Sequence, residues 1–392
     1  MSGNALERLS SETTDSARSV RLSDNNEGQD AVDKTPAVVV ASMNNADGWL
    51  VALRRADAWA LRQWLAQGRV LPHEASNLCN HLGVLQTSSL CEGVRPKAPG
   101  LGFPEELQTP RGAAWVLLAA ASDAGARSPR PDLAETLDHI CESVFRYRHL
   151  LNKIEQDIPR TFQGAEEVRQ RVSSEALVRV LSAAAVYNNN LYLQGMNLYA
   201  AAFLYVLPEP EAFNLLIRLI DVYAPRYFRV NTLAGAHEGC KLAAQLLQFV
   251  DAELANRLGE DPLGLERLLL VHGFPAILSL SLSIPPFEDA LTLLDWILAF
   301  GAHFGVVFVV ARLRCAREQL LRQSVSAKQV LNPRRSDEVF YIPPQAIVRE
   351  SLALISQLSS EFWEQLRQHP FGNKPSPSDP HESSFQTEEH CS

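Results

Sequence analysis

From residue 173 the chain reads Ser173-Ser174-Glu175-Ala176-Leu177-Val178-Arg179-Val180-Leu181-Ser182-Ala183-Ala184. A hydroxyl followed at once by an acid is a helix start: the oxygen can accept from a free first-turn N–H, and the acid complements the positive end of the helix dipole. Leu177, Val180, Leu181 and Ala184 then return every three or four residues, which makes one buried stripe. The same grammar extends in both directions. Toward the N-terminus, Leu137, Ile140, Val144 and Leu151 recur on one helical face from Leu133 onward. Toward the C-terminus, Pro208-Glu209-Pro210-Glu211 opens a helix with the stripe Leu215, Leu216, Leu219 and Ile220. Leu242, Leu246, Leu247, Val250 and Leu254 form a further stripe. Ser283, Pro285, Pro286, Glu288 and Asp289 read as a capped, acidic helix start that Gly301 closes. No run with the two-residue period of a strand competes, and no fixed-period repeat suggests a solenoid. The predicted class is all-α.

Composition frames this helical body. The chain has 392 residues, 46% of them apolar, enough for a sizeable core in one large domain or two smaller ones. Its net charge of −9 argues against nucleic acid as the main partner, because phosphate contacts need a basic surface. Six scattered cysteines without a Cys-x-x-Cys pair suit a reducing compartment, and no positive-then-apolar leader opens the sequence. The expected location is therefore cytoplasmic, with recruitment to membranes or spindle poles as a further option. The polar segment 1–45 and the tail 372–392, with Lys374-Pro375-Ser376-Pro377, cannot offset their ordering entropy and read as disordered. Between them we expect an N-terminal helical piece with a Pro/Gly-rich loop over 46–110, a main domain over 111–330, and a helical extension over 331–371. Trp296 to Leu313 is the only candidate membrane span. Gly301, His303, Gly305 and Arg312 interrupt it, and a span needs about 20 apolar residues, so it reads as a buried helix pair.

Two short segments flank the Ser173 helix. Before it comes Ile154-Glu155-Gln156-Asp157-Ile158-Pro159-Arg160-Thr161, and after it Tyr192-Leu193-Gln194-Gly195-Met196-Asn197. Each sets one polar side chain, Arg160 or Gln194, at the edge of a helical pattern beside a residue that shapes the backbone. Arginine offers a permanent charge and a planar donor fork suited to phosphate oxygens. Glutamine carries a donor and an acceptor, which orienting a water molecule requires. Phosphoryl transfer from a nucleoside triphosphate uses both functions. Taken singly, an arginine after a proline is more often a surface ion-pair former, and Gln-Gly more often a plain turn.

Together the segments resemble the fingerprint of the TBC family, the GTPase-activating proteins of Rab-type small GTPases. Its Ile-x-x-Asp-x-x-Arg motif is met by Ile154, Asp157 and Arg160, and its Tyr-x-Gln-Gly motif by Tyr192, Gln194 and Gly195. Arg111 to Trp115 resembles the early Arg-x-x-x-Trp helix, and Asp295-Trp296 through Gly301 a late one, both read as core and helix-start positions. Lys153-Ile154, Arg160-Thr161-Phe162, Gln194-Gly195-Met196-Asn197 and Phe203-Leu204-Tyr205-Val206 are similar to the fungal-type checkpoint subgroup of mitotic exit or septation. The resemblance implies a multi-helix TBC-like domain that stimulates GTP hydrolysis by a Rab- or Ras-type small GTPase, in a cell-cycle checkpoint of mitotic exit or in membrane traffic. It also implies an arginine finger, Arg160, and a glutamine finger, Gln194, both supplied in trans. Asp157 would cap or steady the loop or the guanidinium, Thr161 would tie the loop end, Tyr192 would pack beneath the glutamine, and Gly195 would admit a neighbouring switch loop. Such a chain is an activator and not itself an enzyme, with no cofactor or metal of its own; GTP and Mg²⁺ belong to the partner.

The alternatives are a TBC-fold module that docks a GTPase or scaffold without accelerating it, and a helical membrane or adaptor protein. Other chemistries find little support. His73-Glu74 and His237-Glu238 lack the second histidine of a zinc-protease helix, and Gly100-x-Gly102 lacks the lysine of a phosphate loop. Arg312, Arg314, Arg317 and Arg322 read as a solvated helix face, or alternatively as a contact for an acidic partner or anionic lipid.

Overall fold

Helices supply every regular element among the residues that the computed structural model describes: 48–54, 57–71, 110–121, 131–161, 165–228, 233–332 and 340–372. In chain order these are α1 (Gly48–Arg54), α2 (Ala58–Ala66), α3 (Pro110–Ala121), α4 (Leu133–Glu142), α5 (Val144–Asp157), α6 (Glu166–Arg171) and α7 (Ser174–Tyr187). The series continues with α8 (Met196–Val206), α9 (Glu209–Arg218), α10 (Pro225–Phe228), α11 (Ala234–Val250), α12 (Ala252–Gly259), α13 (Leu265–His272) and α14 (Phe274–Leu278). It ends with α15 (Phe287–Phe300), α16 (Phe304–Cys315), α17 (Arg317–Leu321), α18 (Ala327–Leu331), α19 (Pro344–Ile355) and α20 (Ser360–Gln368). The expected disordered head, nearly all of the Pro/Gly loop, and the tail beyond residue 372 lie outside the described residues, as do His73-Glu74 and Gly100-x-Gly102.

Local rules place several of the ends. The Ser173 side chain accepts from the Ala176 N–H at 3.1 Å to start α7. Gly301, at φ +119°, closes α15 in a conformation that costs other residues more. Four readings change. Leu137, Ile140, Val144 and Leu151 do not share one helical face, because Ser143 separates α4 from α5 and Val144 is exposed. Leu254 does not continue the stripe of Leu242, because Asp251 breaks the chain between α11 and α12 and caps the second through the Leu254 N–H. Ser283 does not cap α15: Pro286 stands at that position, and the Ser283 N–H donates to Ser279 Oγ. Asp295 is not helix-start chemistry. It sits in the third turn of α15, fully buried, where Arg111 of α3 grips both oxygens at 3.1 Å and Trp115 Nε1 donates at 2.6 Å. A buried carboxylate is tolerable only with its charge and lone pairs answered in this way.

The arginine row is also revised. Arg312 is buried in α16, and its Nε reaches the Val330 carbonyl at 3.4 Å. Arg314 bridges Asp251 and Glu350, and Arg317 holds Asp251 and Glu253. Only Arg322 stays on a solvated face, paired with Glu318 one turn back. Trp296 to Leu313 is two helices broken at Gly301 to His303, and no described helix is long and apolar enough to cross a membrane. One contiguous core runs through all of this, from Trp49 and Leu61 near the start to Trp363 and Leu366 near the end.

Candidate functional site

The two polar segments meet at one edge of this core. α5 buries Tyr147, Leu150, Ile154 and Asp157 on its inner face, the three-and-four spacing of a half-submerged helix. Ile158–Arg160 continues it as a single 3₁₀ turn with Pro159 inside, which tightens the chain just where the helix ends. Arg160 is left exposed, with no hydrogen-bond or ion-pair partner among the described residues. Thr161 turns back into the protein and is buried.

The second segment is built by Asn188 and two residues in left-handed conformation. The Asn188 amide donates to the Phe228 carbonyl at 2.8 Å and to the Leu191 carbonyl at 3.3 Å, while Asn189 and Asn190 take φ of 55° and 62°. Asparagine tolerates that region better than most residues. Gln194 is exposed, and Gly195 follows at φ +108° as the N-cap of α8. A Cβ there would come no closer than 3.9 Å to Leu278, so the backbone angle, not space, calls for glycine.

A chain of side-chain hydrogen bonds ties the segments. Tyr192 Oη donates to Asp157 Oδ2 at 2.9 Å. Thr161 Oγ1 donates to the Asp157 carbonyl at 2.9 Å and accepts from Asn197 Nδ2 at 2.9 Å. Asn197 Oδ1 in turn accepts from the Gly195 N–H at 3.1 Å. Every member lies within three residues of Arg160 or Gln194, so the positions of the two exposed side chains are mutually constrained. Burial, and then the charge and hydrogen bond of Asp157, push the Tyr192 hydroxyl well above the ordinary tyrosine range. It therefore remains a donor over the working pH range.

Two expectations about supporting residues change here. Asp157 stands at the N-cap position of the 3₁₀ turn without a side-chain capping bond, and its carboxylate accepts from Tyr192 and makes no bond to the Arg160 guanidinium. Tyr192 does not simply pack beneath the glutamine, because its hydroxyl reaches across to the first segment. Thr161 Oγ1 bonds the Asp157 carbonyl and Asn197 Nδ2. Asn197 had no assigned role in the sequence, and neither did the Asn188-Asn189-Asn190 run. The legible signals were a third polar residue in an apolar helix start and three consecutive αL-tolerant residues. Among the described residues no group of three His, Cys, Asp or Glu side chains could hold a metal.

The Rab-GTPase-TBC domain profile matches residues 108–321. This chain belongs to the RabGAP-TBC family. It is 36% identical over 219 residues to the putative mitotic check point protein BUB2 of Dictyostelium discoideum, covering 56% of this chain and 57% of that one. It is 31% identical over 224 residues to cell division control protein 16 of Schizosaccharomyces pombe, covering 56% of this chain and 70% of the relative. Against mitotic check point protein BUB2 of Saccharomyces cerevisiae the identity is 30% over 236 residues, covering 56% of this chain and 73% of the relative. These belong to the checkpoint subgroup that the motifs resemble. Superposed on the crystal structure of the Ypt/Rab-GAP domain of Gyp1p, the chain gives a TM-score of 0.47 at 16% identity, over 74% of this chain and 98% of that one.

Proposed function

We propose that this protein stimulates GTP hydrolysis by a small GTPase of Rab or Ras type, and that it does so in the control of mitotic exit. The observation that carries this reading is the pair of solvent-facing side chains, Arg160 and Gln194, held on two segments by the Asp157–Tyr192 and Thr161–Asn197 hydrogen bonds. The relatives named as mitotic check point and cell division control proteins support the pathway.

The chemistry follows from charge. As the γ-phosphate leaves, negative charge grows on its oxygens and on the bridging oxygen. A guanidinium inserted there from another protein is worth about 10³ to 10⁵ in rate. Arg160 has no internal partner to give up among the described residues, so little is lost when it enters such a site. Gln194 would orient the attacking water with its amide, in place of the GTPase's own glutamine. The partner would hold GTP and Mg²⁺, and this chain would supply only positioning and charge.

The test is single-turnover GTP hydrolysis by a panel of small GTPases, with and without the purified protein. It then turns to the most responsive GTPase with its switch glutamine replaced by leucine. If Gln194 acts in trans, the glutamine-less GTPase still responds, and Gln194→Ala lowers stimulation by about 10²-fold. An unresponsive glutamine-less GTPase, together with an active Gln194→Ala protein, would reduce Gln194 to a turn residue. Binding without any rate increase across the panel would leave a docking module.

A further inference from the structure

The outer face of α5, which leads straight to Arg160, separates its charges by side. A helix turns about 100° per residue, so the buried set Tyr147, Leu150, Ile154 and Asp157 fixes the inward direction. On the flank next to Asp157, where its carboxylate meets Tyr192, stand the exposed Arg146, His149 and Lys153. The exposed acid of this helix, Glu155, stands on the opposite flank with Arg148. Arg146 lies 5.7 Å over the Tyr147 ring, and neither it nor Lys153 has an ion-pair partner among the described residues.

We propose that this flank is the edge against which the GTPase docks, and that it takes an acidic surface beside the partner's nucleotide site. The inference rests on the GTPase-activating reading and adds to it where the partner lies and what charge it presents. An interface of ordinary size covers about 800 Å² on each side, roughly a disc of 16 Å radius. At about 1.5 Å per helical residue, Lys153 lies about 10 Å from Arg160 along the axis and His149 about 16 Å away at the rim, with Arg146 about 21 Å away, roughly 5 Å beyond the edge and within a Debye length of it. A partner that receives Arg160 in its nucleotide site therefore covers Lys153 and faces Arg146. A chain of net charge −9 as a whole repels an acidic partner, so a local cationic edge attracts one to that place and speeds its approach there.

The experiment measures kcat and KM for the most responsive GTPase of the panel, at low and at physiological salt. It compares wild type, the Arg146→Glu/Lys153→Glu double variant, Lys153→Gln and Glu155→Lys. Binding is read separately by calorimetry, with that GTPase loaded with a non-hydrolysable GTP analogue. The expected result is a rise in KM of about tenfold in the double variant and a smaller rise in Lys153→Gln, with kcat at saturation kept and the salt dependence flattened. Glu155→Lys should leave KM within about twofold. All three positions are exposed, and equal melting curves verify the fold. Unchanged KM and salt dependence in the double variant overturn the docking edge while leaving the activating role intact. Conversely, binding that weakens on charge reversal without any stimulated turnover keeps the edge and removes the activating role. Failure to bind any GTPase of the panel overturns both. A vesicle arm containing phosphatidylserine covers the competing occupant. Charge-dependent vesicle binding with an unchanged KM would assign the flank to a lipid surface and overturn the proposal.

Discussion

Arg160 stands in solvent at the end of a tight 3₁₀ turn, and its lack of internal partners among the described residues sets the cost of removing it. Arg160→Ala should cut stimulated turnover by about 10³-fold or more. The melting temperature should stay nearly unchanged, since an exposed substitution away from special backbone costs at most about 0.5 kcal/mol. Lysine should restore little, because a compact point charge does not reproduce the planar donor fork. Single-turnover kinetics and thermal melts of both variants check this, and an active Arg160→Ala protein would sink the assignment. Tyr192 offers a contrasting case. Tyr192→Phe leaves the buried Asp157 carboxylate without its side-chain donor, a loss of about 1 to 3 kcal/mol in stability. It should also lower kcat with little change in KM, because both exposed side chains remain while the tie between their segments is weakened. A loss of stability with kcat unaltered would make that hydrogen bond purely structural.

Among the elements, α20 is fastened by one neutral histidine. Its C-cap His369 accepts from Tyr227 Oη at Nε2, 2.9 Å away, while its Nδ1 donates to the Leu366 carbonyl at 2.6 Å. Burial holds its pKa down at about 4 from the ordinary 6.5, despite the Leu366 hydrogen bond and Glu238, which pull the other way. Above pH 6.5 both folded and unfolded chains carry it neutral. Between 6.5 and about 4 the unfolded chain takes up a proton that the folded chain refuses, so stability falls as the pH drops through that window and levels off below it. The slope from one such group approaches about 1.4 kcal/mol per pH unit. Urea melts of wild type and His369→Gln from pH 7.5 to 4.5 measure it, and the variant should lose much of the slope. His303, also held well below its ordinary value by burial, keeps a share. Parallel slopes in the two proteins would show that His369 does not titrate as described.

At the scale of the whole molecule, the stretch matched to the family does not contain the whole core. α19 packs along α16, Trp363 of α20 meets the rings of His303 and Phe304, and Arg314 bridges to Glu350. At the other end, Trp296 Nε1 donates to the Arg69 carbonyl behind α2 at 3.2 Å. A fragment of residues 108–321 should therefore expose the apolar flanks of α15 and α16, bind a hydrophobic dye and melt well below the full chain. Dye fluorescence and thermal melts of both check this; a fragment as stable and dye-free as the full chain would contradict the shared core.

The sequence by itself determined the class and a few helix ends, such as Ser173 and Gly301, together with the two segments around Arg160 and Gln194. Those features are local: an apolar period of three to four residues, a hydroxyl at Ser173, a glycine at 301, a short motif with its own spacing. It did not determine which polar side chains would answer one another. Asp295 with Arg111 spans 184 positions, and Tyr192 with Asp157 spans 35. Of the arginines that read as a solvated row, Arg314 and Arg317 became partners of Asp251, Glu253 and Glu350, Arg312 was buried in α16, and Arg322 alone stayed solvated. Periodicity states which face of a helix is turned inward, but burial fixes no partner. Only the packed arrangement decides which buried charge is neutralised by which, and which exposed one, such as Arg160, is left available to another protein.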